Sequence, residues 1–290
     1  MQRISKHRRL YIALTLLFAL IAWTIWGNTT LTITRITISS SNLPPQFLGF
    51  RIAHISDLHN AEFGAENAKL LKKISETEPD IVTITGDLID SSHTNIEAAV
   101  DFARKASQIA PVYYVTGNHE AWISQYDDLR DSLEAAGATV LENEAIHLSH
   151  NGSTITLLGL SDPDFSEGSG ILGETAAMTA SKLREMMEDS YTVLLSHRPE
   201  LFETYVESGA DLVLSGHAHG GQFRLPLIGG LIAPNQGLFP KYDAGLYSEQ
   251  RTHMVVSCGL GNSIIPVRFN NRPEVVLVEL KAGGTGQYFL

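Results

Sequence analysis

The stretch "FRIAHISDLHN", Phe50 to Asn60, is a short apolar run that ends in a carboxylate, Asp57, and an imidazole, His59. The run reads as a strand and its polar end as the loop that follows. Working outward, "AENAKLLKKISETE" has helical spacing. After Pro79 comes "DIVTIT", an apolar strand ending in "GDLID". "NIEAAVDFARKAS" is helical, "PVYYVT" is a strand ending in "GNHE", and "SQYDDLRDSLEAAG" is helical with Gly137 as its stop. The order β-α-β-α-β-α implies a largely parallel sheet flanked by helices.

The second half continues in the same manner. "AIHLSHNGSTITLLGL" is two alternating runs about Asn151-Gly152, a strong hairpin signal. "GETAAMTASKLREMME" is helical, "YTVLLSH" is a strand, and "PELFETYVESG" is a helix with Pro199 near its start. "ADLVLSGHAHGG" is strand then loop, and "HMVVSCGLG" and "EVVLVEL" are closing strands. The expected organisation is a basic flank and transmembrane anchor over 1–27, a strand and linker over 28–49, one catalytic domain over 50–281, and a flexible tail over 282–290.

The anchor is "LYIALTLLFALIAWTIW", Leu10 to Trp26, which is free of charge and preceded by Arg3, Lys6, Arg8 and Arg9. Its 17 residues are at the short end for a spanning helix, and Trp23 and Trp26 suit the far interface. The positive flank predicts a single-pass protein of the cell membrane, with a cytoplasmic N-terminus and the domain outside. A cleaved signal peptide is the competing reading, although no clear A-x-A site follows the apolar run. "RRLYIAL" also loosely matches a twin-arginine export signal.

Among 290 residues, 43% are hydrophobic and 18% charged, a globular composition, and the net charge is −11. That charge argues against a sequence-independent nucleic-acid binder. A phosphorylated substrate would need a local positive centre to overcome it. Cys258 is the sole cysteine, which excludes an intrachain disulfide and a Cys-rich zinc site. It reads as a small buried strand residue.

Five strands end in metal-ligand residue types: "ISDLH", "ITGDLID", "VTGNHE", "LLSH" and "SGHAH". In open α/β sheets, ligands bind beyond the C-terminal ends of strands, so these ends can converge. The converging set is Asp57, His59, Asp87, Asn118, His119, His197, His217 and His219. Carboxylate, amide oxygen and imidazole suit divalent manganese, iron or zinc. Eight groups are too many for one tetrahedral ion. They suffice for two ions sharing a bridging carboxylate, with one histidine left for proton work.

D-x-H, GD, GNHE, a lone His after a strand and G-H-x-H, in that order, resemble the calcineurin-like metallophosphoesterases, over about Ile52 to Gly221. "GHAHGGQ" and the apolar N-terminus resemble their bacterial membrane-linked branch. The resemblance implies an α/β sandwich, two β-sheets flanked by helices, with an N-terminal transmembrane helix. It implies that Asp57, His59 and His219 ligate one ion, Asn118, His197 and His217 the other, and that Asp87 bridges. His119 would be the catalytic histidine facing the leaving group, and Asp90 the acid that orients it. Glu120 is read as structural support. Manganese is the first expectation for the two metals, by resemblance and ligand type. Two such ions about 3.5–4 Å apart can clamp the attacking and leaving oxygens of a phosphoryl displacement.

Each residue also has a plainer reading. A histidine at a strand end is commonly a hydrogen-bonded loop residue, and Asp90 could be a turn cap. His54 is read as structural, and His7, His93, His147, His150 and His253 as surface or packing residues. Arg198 could touch phosphate, with a surface or helix-start role as the alternative. The Pro/Gly-rich stretch "QFRLPLIGGLIAPNQGLFPKYDAGLY" carries many apolar types immediately after a metal-ligand motif. Phe223, Leu225, Leu227, Ile228, Leu231, Ile232, Leu238 and Phe239 are either ordinary core, or wall an acyl groove or dip toward a membrane.

The expected function is hydrolysis of a phosphodiester or pyrophosphate by metal-bound hydroxide, on a phosphorylated small molecule or a lipid-linked or envelope substrate. One similar branch cleaves UDP-2,3-diacylglucosamine, but that precursor is cytosolic and the domain is expected outside. A nuclease of the same superfamily is the alternative, lowered by the acidic charge and the lack of a basic aromatic stripe. A scaffold without metals is disfavoured because every ligand position is filled.

Overall fold

The computed structural model describes residues 6–166 and 172–283. The tail expected over 282–290 lies outside the described residues from position 284 onward. The first sheet holds six strands: β1 (Thr32–Ser40), β2 (Arg51–Ile55), β3 (Ile81–Thr85), β4 (Val112–Val115), β5 (Ala138–Val140) and the last strand of the chain, Glu274–Ala282. β2 to β5 run parallel, the last strand is antiparallel to β2, and β1 pairs in parallel with it. The second sheet begins with β6 (Glu144–His150) and β7 (Ser153–Gly159), the hairpin expected at Asn151-Gly152. Its centre is β8 (Thr192–Leu195) and β9 (Leu212–Ser215). After β9 come four two-residue strands in two small hairpins, β10 (Arg224–Leu225) with β11 (Gly229–Gly230), and β12 (Ile232–Ala233) with β13 (Gly237–Leu238). β14 (Gly245–Glu249) and β15 (Thr252–Val256) complete the second sheet, and β16 is the Glu274–Ala282 strand already placed in the first.

Successive residues of each central strand face opposite ways, and both faces are apolar because both are covered. Ile52, Ile81, Val193, Leu195, Leu212 and Leu214 meet between the two sheets. Their neighbours Ala53, Val82 and Ile84 face the helices α2 (Ala68–Ser75) and α3 (Ile96–Ser107) on the outside of the first sheet. Leu194 and Val213 face the outer layer of the second. The remaining helices are the four-residue α4 (Asn118–Ala121), α5 (Tyr126–Ala135), α6 (Leu172–Met186) and α7 (Phe202–Ser208). The molecule is thus an α/β sandwich, two sheets between helical layers.

The strand expected over Asn28 to Ser40 is β1, and it belongs to the first sheet. β1 pairs with β16 over nine residues as the edge strand of the first sheet. Parallel pairing between segments some 240 residues apart leaves no local mark, so the sequence placed the boundary at Phe50. Upstream, α1 (Lys6–Thr29) has no buried residue. At 1.5 Å per residue its 24 residues span about 36 Å, enough for a bilayer core of about 30 Å.

Candidate metal centre

All five strand ends named in the sequence reach one place, at the C-terminal edges of β2, β3, β4, β8 and β9. The loops that carry them turn sharply. Asp57, His59, Asp87, His217 and His219 all have positive φ, between 48° and 64°. Left-handed backbone is costly for residues with a Cβ, and its concentration here marks a geometry that the surroundings enforce. Gly86 (φ 83°) and Gly117 make the same turns possible by having no side chain. A Cβ on Gly86 would strike the Gly117 backbone, and one on Gly117 would strike the Asp87 carboxylate.

Three groups of ligand atoms result among the described residues; one is His59, Asp90 and His119, and the other two share Asp87. Of those two, Asp57, His59, Asp87 and His219 form the first, and Asp87, His197 and His217 the second, the ligand atoms of each lying within 4.8 Å of one another. His59 Nε2 is 3.2 Å from His219 Nε2 and 3.6 Å from Asp87 Oδ2. His197 Nε2 is 3.3 Å from Asp87 Oδ2 and 3.1 Å from His217 Nδ1. Asn118 borders the same cavity, buried, and its Oδ1 has no hydrogen-bond partner.

The electrostatics keep His59, His217 and His219 in ligand form, whereas His197 holds a proton against Asp87 that a cation bound there would displace. Burial lowers His59 to about 4 and takes His217 and His219 well below the ordinary imidazole value, so all three are neutral at pH 7. Burial opposes the charge on Asp87 and His197 as well, but each overcomes it for the other: Asp87 falls well below the usual carboxylate range and His197 rises to about 10. Burial lifts Asp57 to about 6. Two buried guanidiniums back the histidine pair. Arg198 Nη1 lies 3.3 Å from His217 Nε2, and Arg268 Nη2 lies 3.3 Å from His219 Nδ1. Each disfavours a proton on its imidazole. Neutral imidazoles facing one another, two carboxylates and an unpartnered amide oxygen are a donor set that fits divalent cations.

Glu120, fully buried, holds the loops in place. Its Oε2 accepts from the Gly117 and Asp87 amides at 2.7 and 2.9 Å, and its Oε1 from Leu88 and Ile89 at 2.8 and 3.3 Å. This ties the GD and GNHE turns to each other. His119 lines the cavity, and its own amide donates to Asp87 Oδ1 at 2.9 Å. Its Nδ1 accepts from the Ser91 amide at 3.0 Å, which puts the proton of the neutral ring on Nε2, 3.1 Å from Ser263 Oγ.

The structure corrects how Asp90 acts. Its nearest oxygen is 4.0 Å from His119 Nδ1, too far for a hydrogen bond, and Oδ1 caps the turn by accepting from Ser92 and His93. The main-chain donor at Ser91 takes the orienting position instead. Arg198 is not a surface residue. It is buried in a double hydrogen bond to Asp162 at 2.6 and 2.7 Å, with Asp164 at 2.9 Å. His54 is structural as expected, buried with Nε2 2.8 Å from Thr85 Oγ1. Sequence reasoning missed Asp162, although it follows the apolar strand β7 just as Asp57 follows β2. It also missed Arg268, Ser91 and Ser263, which no spacing marks.

The cavity over this cluster measures about 740 Å³. The polar groups occupy one part of its lining, and Trp122, Ile232, Ala233, Pro234, Ile264 and Ile265 contribute apolar wall.

Comparison with known proteins gives a family and several relatives. The family described as calcineurin-like phosphoesterase matches residues 50–221. The uncharacterized metallophosphoesterase YkuE of Bacillus subtilis (strain 168) is 33% identical over 259 residues, 86% of this chain and 85% of that protein. Phosphodiesterase YaeI of Escherichia coli (strain K12) is 30% identical, covering 85% of this chain and 86% of its own. A Bos taurus transmembrane protein with metallophosphoesterase domain is 30% identical over 86% of this chain and 57% of that one.

Proposed function

This chain belongs to the calcineurin-like phosphoesterase family and is a phosphoric ester hydrolase, and on that premise we propose that it is a membrane-anchored, two-metal phosphodiesterase or pyrophosphatase. The observation that carries this reading is the pair of ligand clusters sharing Asp87 at the floor of one cavity. Asp57, His59, Asp87 and His219 would hold one divalent ion, and Asp87, Asn118, His197 and His217 the other, with manganese the first candidate. When bound, two such ions supply Lewis acidity to phosphoryl oxygens and a nucleophilic water at neutral pH.

The chain's own groups do the rest. His119, with its proton fixed on Nε2 by the Ser91 amide, donates to the departing oxygen. Asp90 stands 3.9 Å from His59 Nδ1 and 4.0 Å from His119 Nδ1, and its negative field supports positive charge arising on either ring. Glu120 holds Asp87 and His119 in register. The apolar wall excludes water and receives a non-polar part of the substrate.

That wall supports an amphipathic or lipid-linked phosphate substrate. α1 supports a single membrane span, with the N-terminus cytoplasmic and the domain outside. The test uses the full-length protein in detergent, stripped of metal and then given Mn²⁺, with bis-p-nitrophenyl phosphate and with an acylated UDP-sugar as substrates. Turnover restored by metal, at a content of two ions per chain, supports the reading. Absence of bound metal would overturn it.

Glu120→Gln provides a separate check on the loops. The substitution turns an NH₂ group toward two of the four amides that the carboxylate accepts. Metal affinity, measured by titration with a competing chelator, should fall roughly 10–100-fold, the usual cost of losing a partner that orients ligands.

A further inference from the structure

Among the described residues outside α1, eleven large hydrophobic residues are exposed, and eight of them lie in just two segments, 225–239 and 264–269. The chain carries 32 Asp and Glu, yet residues 223–240 and 260–270 contain none. Turn positions there hold apolar side chains where polar ones are usual. Leu227, at the tip of the β10–β11 hairpin, has φ 68° and is fully exposed, and Phe239 has φ 55° and is 60% exposed. Ile264 is 89% exposed and also borders the cavity mouth.

These segments are fastened to the end of α1. Asn28 Nδ2 donates to the Arg268 carbonyl at 2.9 Å, and the Arg268 amide donates to Asn28 Oδ1 at 2.7 Å. Arg272 lies over the Trp26 ring at 4.7 Å. The next residue after Arg268 carries the contact onward: the Phe269 carbonyl accepts from the Arg224 amide at 3.0 Å, at the base of the β10–β11 hairpin. Hydrogen bonds therefore lead without a gap from the end of an apolar helix, where Trp23 and Trp26 suit a membrane interface, to the exposed hairpin.

We propose that the β10–β13 hairpins and segment 264–269 form one acid-free apolar face that rests in the lipid surface crossed by α1, holding the cavity mouth at the bilayer. The occupant is lipid, because the face is continuous with a helix of bilayer length and carries no carboxylate that lipid would exclude. The proposal rests on reading α1 as a membrane span. It goes beyond the proposed activity by stating from which side substrate arrives.

The test measures depth, not catalysis. Full-length chains bearing Leu227→Cys, Phe239→Cys or, as control, Asp127→Cys are labelled with a nitrobenzoxadiazole fluorophore and reconstituted in phosphatidylcholine vesicles. Asp127 lies on α5, beside the edge of the first sheet opposite β1, and its side chain is 83% exposed. The unsubstituted chain, labelled alike, gives the Cys258 background. On vesicle binding the 227 and 239 labels should shift to the blue, and doxyl-labelled lipids should quench them, with the 127 label unchanged in both respects. Labels at 227 and 239 that match 127, in protein that floats with the vesicles, would overturn the proposal while sparing the anchor. Protein that fails to float would overturn both.

A second variant reads the consequence. Leu227→Asp/Ile228→Asp changes side chains that do not line the cavity. Hydrolysis of soluble bis-p-nitrophenyl phosphate should be unchanged. Hydrolysis of an acylated p-nitrophenyl phosphodiester held in vesicles should fall roughly tenfold, as two apolar contacts with lipid are lost. Equal rates on the vesicle substrate would count against the proposal.

Discussion

Asp87→Asn is expected to abolish metal-restored hydrolysis while leaving the fold intact. The choice of asparagine follows from what each carboxylate oxygen does. Oδ1 accepts from the His119 amide at 2.9 Å, and an asparagine carbonyl can keep that bond. Alanine would leave the buried amide unpaired, at about 1–3 kcal/mol, and confuse loss of metal with loss of structure. Oδ2 is the atom that stands 3.6 Å from His59 Nε2 and 3.3 Å from His197 Nε2. With Oδ1 retained as the carbonyl, the NH₂ group falls at the Oδ2 position and points a donor where a shared anionic ligand is required. The loss should appear in both metal sites at once. Metal content should fall toward zero, whereas Asp57→Asn, whose residue belongs to one cluster only, should spare much of the second ion. Thermal melting in chelator checks the premise that the fold stands. If Asp87→Asn kept two ions per chain, the shared-carboxylate arrangement would be refuted.

Much of this site could be read before any coordinates because its chemistry sits at strand ends. An apolar run followed by Asp, Asn or His is a local pattern, and parallel α/β topology brings such ends together whatever the helices between them do. Asp57, Asp87, His197 and His217 are legible this way, and the structure brings them into two clusters that share Asp87. The residues that escaped act through surroundings no local pattern reports. Arg268 is among the largest fully buried side chains, yet it sits in a loop with no periodicity, and its partners are main-chain carbonyls, Asn262 and His219. Asp90 is given the orienting task by the family resemblance alone, as the acid three residues past Asp87. A main-chain amide at Ser91 reaches His119 first, and backbone donors are invisible in a residue alphabet. The composition of the loop after Gly221 suits core, an acyl groove or a membrane face alike. Exposure excludes ordinary core for six of its eight apolar residues, which stand open to the outside.

His119→Asn should separate proton donation from site assembly through the choice of leaving group. A general acid matters in proportion to how poorly the departing oxygen bears negative charge. An alkoxide needs the proton, whereas p-nitrophenolate spreads its charge over the ring and nitro group. The geometry fits a donor: Nδ1 is committed as acceptor to the Ser91 amide, Nε2 therefore carries the proton, and the ring borders the cavity with only the Ser263 hydroxyl before it. On an alkyl phosphodiester, kcat of His119→Asn should fall about 10²–10⁴-fold, the usual worth of a positioned general acid. On bis-p-nitrophenyl phosphate the fall should be much smaller, with two ions still bound. Ser91 meets Nδ1 through its main-chain amide at 3.0 Å and its hydroxyl at 3.2 Å, and because Ser91→Ala keeps the amide it should keep the tautomer and change either rate little. An equal loss on both substrates would mean that His119 contributes by shaping the cluster, because the leaving group cannot sense a residue that only holds its neighbours.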